Sequence, residues 1–490
     1  MLKLRLLPNN LLTHANRFIV RLSNKRGENA PHSEVKLRRV LSLSDLIIYG
    51  IILIQPVAAL PLFGHANDIS QGHAVTAILL AMTAMIFTAI SYGRMANRYP
   101  EAGSAYTYVG KGLNPYLGFV AGWSMFMDYM FIPILCVIFT SIAANHLLPM
   151  IPYHFWIFFF VGSFSMVNLR GIKVASRSNW VLMIIMSVVV FYFMAAAIRY
   201  VFMKEGFGGL VSSRPFYNSE SFSVRSIGSA TALAALTYIG FDGLTTLSEE
   251  VKNPRRNVLI AAVVTCLITG IWSGAQIYLA QVAWPDWASF TRGVTDATVR
   301  NSALDTAIMS VANRVGGSLL DASLSITLLI GSIGSGITGQ LGAARLLYGM
   351  GRDSMIPKKI FGHLNRKSAT PDYNVLIIGS LALVGALLLN FEECARLINF
   401  GAFFAFMGVN IASMREYYFK SGDRSAKSVM KNLLPPAIGF IICLIIWLNL
   451  PLKTFIIGGS WMLIGIIYLA IRTKGFREVP AMMDFSNTTP

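Results

Sequence analysis

Long apolar runs recur along the whole chain, and short polar loops separate them. Most runs exceed the roughly 18 residues that distinguish a membrane-spanning helix from a helix buried in a soluble core. The pattern therefore predicts an all-α membrane protein with about twelve transmembrane helices. In chain order, we predict spans one to twelve at 43–64, 74–95, 117–147, 153–169, 179–201, 226–248, 257–284, 317–349, 373–391, 394–418, 433–450 and 452–472.

Basic residues are concentrated in alternate loops between the predicted spans. The positive-inside rule places that face, and with it both termini, in the cytoplasm of a multi-pass protein of the cell inner membrane. The loops of the opposite face hold fewer basic residues, and their acids include Asp68, Glu205, Asp286, Asp296, Asp305, Glu392 and Glu393. The net charge of +18 follows from the basic loops. We therefore predict the lipid bilayer as a partner and no nucleic acid.

Two spans are interrupted by residues that break helices. Span one contains Gln55-Pro56 and then Pro61, and span six contains Gly240-Phe241-Asp242-Gly243. Proline removes a helix hydrogen bond, and glycine favours other backbone conformations. Matching breaks in the first helix of two successive five-helix units are typical of inverted-repeat transporters that bind substrate between the broken helices. The alternative is that these residues are simply frequent in membrane helices.

This interpretation divides the chain into five segments. We predict a basic cytoplasmic tail at 1–41, with an organellar transit peptide as the alternative, and a cytoplasmic C-terminal tail at 473–490. The first repeat is predicted at 42–201, the second at 226–418, and spans eleven and twelve at 432–472.

Two acids lie deep in predicted spans, Asp242 in the break of span six and Asp128 in span three. A charged side chain costs on the order of 3 kcal/mol at the bilayer centre, so such residues are first candidates for function. We predict that both carboxylates bind the ammonium group of a small-molecule amine or amino acid. The alternatives are a structural hydrogen bond for Asp128, and an internal ion pair or helix cap for Asp242.

Other candidate residues follow from the breaks. We predict that the backbone of Gln55, Pro56, Val57, Ala58 and Gly240 lines the substrate site. The rings of Tyr238 and Phe241 are predicted to pack on the substrate by cation–π contact.

Two acids near the predicted cytoplasmic face are candidates for gating or proton coupling, Glu101 in the loop after span two and Glu249 at the end of span six. The alternatives are a helix cap for Glu101 and a solvated helix end for Glu249.

The remaining motifs predict no cofactor, no metal site and no enzyme. The GxGxxG sequence at 334–339 lies within an apolar helix and lacks the preceding strand of a dinucleotide site, so we expect it to serve close helix packing. The seven histidines have no ligand spacing, and the four cysteines lie singly in apolar segments as packing residues. The oligomeric state is left open.

Three long motifs, in order, carry a family resemblance. They are GRMANRYPEAGSAYTYVGKGLNPYLGFVAGW at 93–123, YIGFDGLTTLSEEVKNPRR at 238–256 and AARLLYGMGRDSMIP at 343–357. With them, the chain resembles the amino acid, polyamine and organocation (APC) transporter superfamily, in particular its branch of bacterial putrescine importers and amino acid permeases. The resemblance covers roughly residues 36–472.

The resemblance implies a LeuT-like fold, with spans one to five and six to ten as inverted repeats and two further helices. It places Asp242 where polyamine and arginine transporters of the superfamily have an essential acid. The stretch LIQPVAALPLFG at 53–64 differs from the glycine-rich break that holds substrate carboxylates in amino acid transporters. Met186 stands where some proton-coupled members have a lysine.

From these observations we predict a secondary transporter that imports an amine, a polyamine such as putrescine, or an amino acid, with proton coupling. One alternative is a cationic or neutral amino acid permease or exchanger. Another is a transporter-like nutrient sensor that binds its ligand without moving it.

Overall fold

The computed structural model describes residues 41–100, 104–170, 176–248, 251–352, 356–365 and 370–478. Within these ranges the secondary-structure elements are helices joined by loops. The β-type pairing in the described residues is one isolated parallel bridge between Leu41 and Val251. The all-α architecture is thus confirmed. The predicted N-terminal tail, apart from Leu41, lies outside the described residues.

The α-helices begin and end as follows: Leu43–Ile54, Phe63–Ser70, Ala74–Arg98, Ser104–Gly112, Pro115–Leu147, Tyr153–Leu169, Ser176–Leu210, Val224–Ala234, Pro254–Ala283, Ala297–Asp305, Ala307–Arg352, Lys358–Phe361, Asp372–Leu388, Phe391–Met414, Ala426–Ser428, Leu434–Leu448 and Leu452–Arg472. Short 3-10 helices span Leu60–Leu62, Ala235–Tyr238, Phe241–Leu247 and Trp287–Phe290, and π-helical turns span Arg415–Phe419 and Val429–Leu433.

In the described part of the chain, nine helices are long and apolar enough to cross a membrane. Shorter apolar helices at Leu43–Ile54, Tyr153–Leu169 and Asp372–Leu388 lie where we predict spans one, four and nine. Large apolar side chains such as Phe158, Val188 and Leu463 are more than half exposed on outer helix faces. Exposed apolar surface of this extent suits lipid as the solvent. The count of twelve spans and the inverted repeat stay predictions.

The centre of the bundle is built on two sets of packed helices. Span two packs along span seven, and span three packs along spans eight and ten. Glycines permit this close approach, because a Cβ on Gly339 of span eight would lie 2.7 Å from Cγ2 of Ile132 in span three. The GxGxxG segment is helical throughout and has the packing role expected of it. The four cysteines are buried as free thiols, as expected.

The predicted break of span one is present. Its first half begins with a capping box between Ser42 and Asp45 and ends at Ile54. Gln55 then adopts φ 70°, an uncommon conformation for a residue with a side chain, and Pro56 has no amide to continue the helix. The chain passes through a 3-10 turn at Leu60–Leu62 before the outer half of the span, Phe63–Ser70.

The predicted break of span six is also present. Its α-helix gives way to 3-10 geometry at Ala235–Tyr238, and Gly240 adopts φ 113°. This conformation is accessible to glycine because it lacks a Cβ. A second 3-10 segment, Phe241–Leu247, then carries Asp242. The two breaks meet, since the nearest atoms to a Cβ built on Gly240 belong to Leu53 and Ile54.

Candidate functional site

The break of span one is tied to span eight through the side chain of Gln55. Its Nε2 donates a hydrogen bond of 3.1 Å to the carbonyl of Gly331 and a second, short one to Oγ of Ser335. Met186 of span five packs against Gly331 as well: a Cβ built on Gly331 would lie 3.0 Å from Cε of Met186. Gln55 therefore acts as a bridge between helices in this conformation.

Pro56 is tied to span seven. Its carbonyl accepts hydrogen bonds of 3.0 Å from Nε1 of Trp272 and 3.0 Å from Nε2 of Gln276. A broken helix leaves carbonyls without partners, and in a membrane these must be satisfied by neighbouring helices. Val57 is buried and Ala58 is half-buried beside them. The position of these residues at the break agrees with the prediction, and their contact with substrate stays a prediction.

Asp242 is buried in the break of span six, with only 4% of its surface exposed. The hydroxyl of Ser104 donates to its Oδ2 over 3.4 Å, and the backbone amides of Gly240 and Asp242 also interact with the carboxylate. Thr245 Oγ1 donates 2.6 Å to the carbonyl of Asp242. Among the described residues, no arginine or lysine forms an ion pair with this carboxylate.

Asp128 of span three is buried to a similar degree, with 3% exposed. Its Oδ1 has no hydrogen-bond partner among the described residues. The backbone of Asp128 packs on Gly401 of span ten, where a Cβ would lie 3.3 Å from its amide nitrogen. Asp128 and Asp242 lie within electrostatic reach of each other. The fold thus brings together the two deep carboxylates that the sequence singles out.

The two aromatic candidates are both fully buried. Tyr238 donates its hydroxyl to the carbonyl of Ile78 in span two over 2.9 Å. Phe241 packs against Tyr92 and Phe406, with ring centroids 5.4 and 5.3 Å away. Both rings are therefore held by protein contacts in this conformation, and their packing on substrate stays a prediction.

Glu101 and Glu249, the candidates for gating or proton coupling, lie outside the described residues. At the same predicted cytoplasmic end, Glu416 after span ten pairs with Arg98 over 3.2 Å and with Lys420 over 2.5 Å. The Arg98–Glu416 pair links the end of the helix Ala74–Arg98 to the π-helical turn that follows Met414.

Sequence reasoning missed several residues that complete the breaks. Ser104 belongs to the motif PEAGSAYTY at 100–108. The only indication in the sequence that Ser104 takes part in the site is the position of this motif just before span three. The polar residues Gln276 and Ser335 lie within apolar spans, and polar side chains at such positions are a signal in their own right.

A cavity of about 180 Å³ adjoins the break of span one. Gln55 and Pro56 line it, together with residues of spans one, five and seven: Ile51, Ser187, Phe191, Ile268, Thr269 and Trp272. Neither deep carboxylate lines this cavity, so it is a separate space from the charged part of the site.

Residues 62–469 match the sequence model of the family described as amino acid permease. The chain belongs to the amino acid permease family. It is accordingly a multi-pass membrane transporter built of helices, as the sequence predicts.

Individual relatives of this permease span nearly its full length. It is 34% identical over 456 residues to the low-affinity putrescine importer PlaP of Escherichia coli (strain K12), covering 92% of this chain and 98% of that protein. It is 24% identical to the branched-chain amino acid permease BcaP of Bacillus subtilis (strain 168), covering 89% and 94% of the two chains. The methylthioribose transporter of the same organism is 24% identical, with 91% and 96% covered.

Proposed function

We propose that this permease imports a small organic amine, a polyamine such as putrescine or an amino acid, across the inner membrane. The observation that carries the proposal is the pair of buried carboxylates, Asp242 in the break of span six and Asp128 in span three. Asp242 has no basic partner among the described residues, and one oxygen of Asp128 has no hydrogen-bond partner there. A buried negative charge is costly unless a cation neutralises it, and an ammonium group meets that need.

The break of span one favours an amine over an amino acid. An amino acid needs hydrogen-bond donors for its carboxylate, which a helix break normally supplies through free amides. Here Pro56 has no amide, and the amides of Ala58 and Leu60 donate to carbonyls within the turn, over 3.2 and 3.1 Å. These two amides are therefore already used within the turn and are not free to bind a substrate carboxylate. The likeness to a putrescine importer supports the same choice.

The driving force in this proposal has two parts. A membrane potential that is negative inside adds about 2.3 kcal/mol per transported charge per 100 mV to the uptake of a cation. We propose proton coupling as the second part, with Asp242 or Glu101 carrying the proton.

Uptake of labelled putrescine into proteoliposomes tests the proposal. We expect accumulation above equilibrium that the variants Asp242→Asn and Asp128→Asn reduce, whereas Asp286→Asn, which changes an exposed acid of the opposite face, leaves it at the wild-type level. Absence of putrescine uptake, together with uptake of labelled branched-chain or cationic amino acids, would identify an amino acid permease instead. Binding without accumulation would identify a sensor.

A further inference from the structure

A second charged cluster lies at the end of the bundle that carries the acidic loops. His65, in the outer half of span one, lies between Asp305 at the end of the helix Ala297–Asp305 and Glu392 at the start of span ten. Its Nε2 is 2.8 Å from Oδ1 of Asp305, and its Nδ1 is 3.2 Å from Oε2 of Glu392. Arg396, one turn along span ten, binds Glu392 through Nε over 2.8 Å. Three separate elements are thus joined through one imidazole.

The position of the imidazole requires a particular protonation state. Both ring nitrogens meet carboxylate oxygens, Nε2 in a hydrogen bond and Nδ1 in an ion-pair contact that does not have hydrogen-bond geometry. Only the imidazolium form carries a proton on each nitrogen. In the neutral ring one nitrogen presents a lone pair to a carboxylate, which is repulsive.

The charge balance of the cluster leads to the same state. His65 is 1% exposed, and Asp305 and Arg396 are each 7% exposed. With His65 protonated, two positive and two negative charges balance. Loss of that proton leaves a net negative charge in a largely buried place, which is unfavourable.

The nearby His73 shows the opposite arrangement and therefore serves as an internal comparison. It is also fully buried, but its Nδ1 lies 2.9 Å from the carbonyl of Ser70 and its Nε2 accepts from the amide of Asn218 over 3.0 Å. One nitrogen donates and the other accepts, so His73 is a neutral imidazole. The two histidines, eight positions apart in the sequence, are held in different protonation states by their partners.

The other charged groups around His65 are paired among themselves or lie further away. Asp68, on the same half-helix, accepts from Arg300 over 2.6 Å, and this pair ties the half-helix to Ala297–Asp305 independently of His65. Glu393 pairs with Lys453 over 2.5 Å, and Tyr153 of span four lies within electrostatic reach of Asp305. Span six packs on the half-helix through Val224–Ala234, whose one charged residue, Arg225, is exposed at the first turn of that helix.

We propose that His65 is a proton-binding site that locks the outer half of span one against span ten. Loss of the proton breaks the longer contact, with Glu392, because the Arg300–Asp68 pair still holds the half-helix to Ala297–Asp305. The half-helix and that short helix then separate from span ten together. Since only the turn that ends at Leu62 separates the half-helix from the break at Gln55, this separation opens the transport pathway on the acidic side; its role in transport rests on the proposed function.

The sign of the pH dependence follows from which state binds the proton more tightly. The closed state provides two carboxylates for the imidazolium and therefore binds the proton better than the open state. Closure is then complete at low pH and is lost as pH rises. The cap of Ala297–Asp305 does not interfere, because amide hydrogen bonds from Val299 and Thr298 lower the pKa of Asp296 and keep it charged over this range.

Hydrogen–deuterium exchange of the full chain in nanodiscs, without substrate, tests the proposal. Peptides covering 63–70 and 391–398 are followed from about pH 6 to about pH 10, a range that begins near the ordinary pKa of histidine. After correction for intrinsic exchange, we expect protection to fall about tenfold for each pH unit over which the cluster loses its proton. His65→Gln should remove this dependence, and the matched variant His73→Gln should keep it.

Protection in the wild type that does not change with pH would overturn the proposal, as would a dependence that survives in His65→Gln. If His65→Gln does not fold by size-exclusion chromatography, Asp305→Asn replaces it, since one carboxylate fewer should weaken the dependence. The readout needs no transport. Asp242→Asn should therefore lose uptake yet keep the pH-dependent protection, which separates failure of this proposal from failure of the proposed function.

Discussion

At the break of span one, the carbonyl of Pro56 accepts hydrogen bonds from Trp272 and Gln276 of span seven. The side-chain amide of Gln55 donates to the carbonyl of Gly331 in span eight. At the break of span six, the carboxylate of Asp242 has a hydroxyl 3.4 Å away, and no arginine or lysine of the described residues pairs with it. The first break is uncharged and satisfied within the protein. The second holds a carboxylate without a basic partner among the described residues, and in the proposed function a ligand neutralises it. Two breaks in one bundle thus differ in the partners of their polar groups, and this difference is why we assign ligand binding to the break of span six in the proposed function.

Asp242→Asn should have the largest effect on transport. Because the variant removes a charged partner of the ammonium group, worth about 1.5–3 kcal/mol, we expect uptake at low substrate to fall on the order of 100-fold. Initial rates in proteoliposomes measure the loss. A normal rate in a normally folded variant would contradict the assignment. Asp242→Glu is the control, because it keeps the negative charge and changes only the length of the side chain.

Asp128→Asn should have a smaller effect of the same kind. Asp128 is the second acid near the ligand, so we expect the KM for putrescine to rise about tenfold, with a smaller change for a monoamine. Uptake kinetics for the diamine and monoamine side by side give the ratio. Equal effects on both substrates would show that Asp128 does not contact the second amine.

Gln55→Leu tests the structural break. The variant leaves the carbonyl of Gly331 and the hydroxyl of Ser335 without their shared donor, so we expect a loss of about 1–3 kcal/mol in stability. Thermal unfolding in detergent measures it. Unchanged stability together with lost binding would mean that Gln55 contacts the ligand directly.

Trp272→Phe should have the smallest effect. The ring is kept, and the carbonyl of Pro56 retains Gln276 as a donor, so the loss in stability should be about 0.5–1.5 kcal/mol. The same unfolding assay measures this change. A larger loss than for Gln55→Leu would mean that the hydrogen bond of Trp272 stabilises this break more than the hydrogen bonds of Gln55 do.

Much of the fold was accessible from the sequence. The lengths of the apolar runs predicted the helices, and Pro56 and Gly240 predicted both breaks, because proline and glycine act on the local backbone wherever they stand. Asp242 and Asp128 were found for a similar reason, since a charge inside an apolar run is visible without any knowledge of its neighbours. The positions of Glu101 and Glu249 stay predictions.

The partners of these groups were not accessible in the same way. Gln276 and Ser335 satisfy a break that lies more than 200 positions earlier in the chain, and Ser104 reaches Asp242 across 138 positions. Hydrophobic periodicity carries no information on which polar side chain faces which helix. His65 and His73 illustrate this limit, because nothing in their sequence neighbourhoods indicates that one is charged and the other neutral.

The sequence by itself determined an all-α membrane protein, the place of its two breaks and the depth of its two acids, since each depends on local backbone chemistry or on the cost of charge in hydrocarbon. Only the tertiary structure shows which break is satisfied within the protein, which carboxylate has no basic partner among the described residues, and which histidine lies between two carboxylates. Those properties depend on contacts such as that between His65 and Asp305, which lie 240 positions apart. Only packing of the helices brings such groups within hydrogen-bond distance.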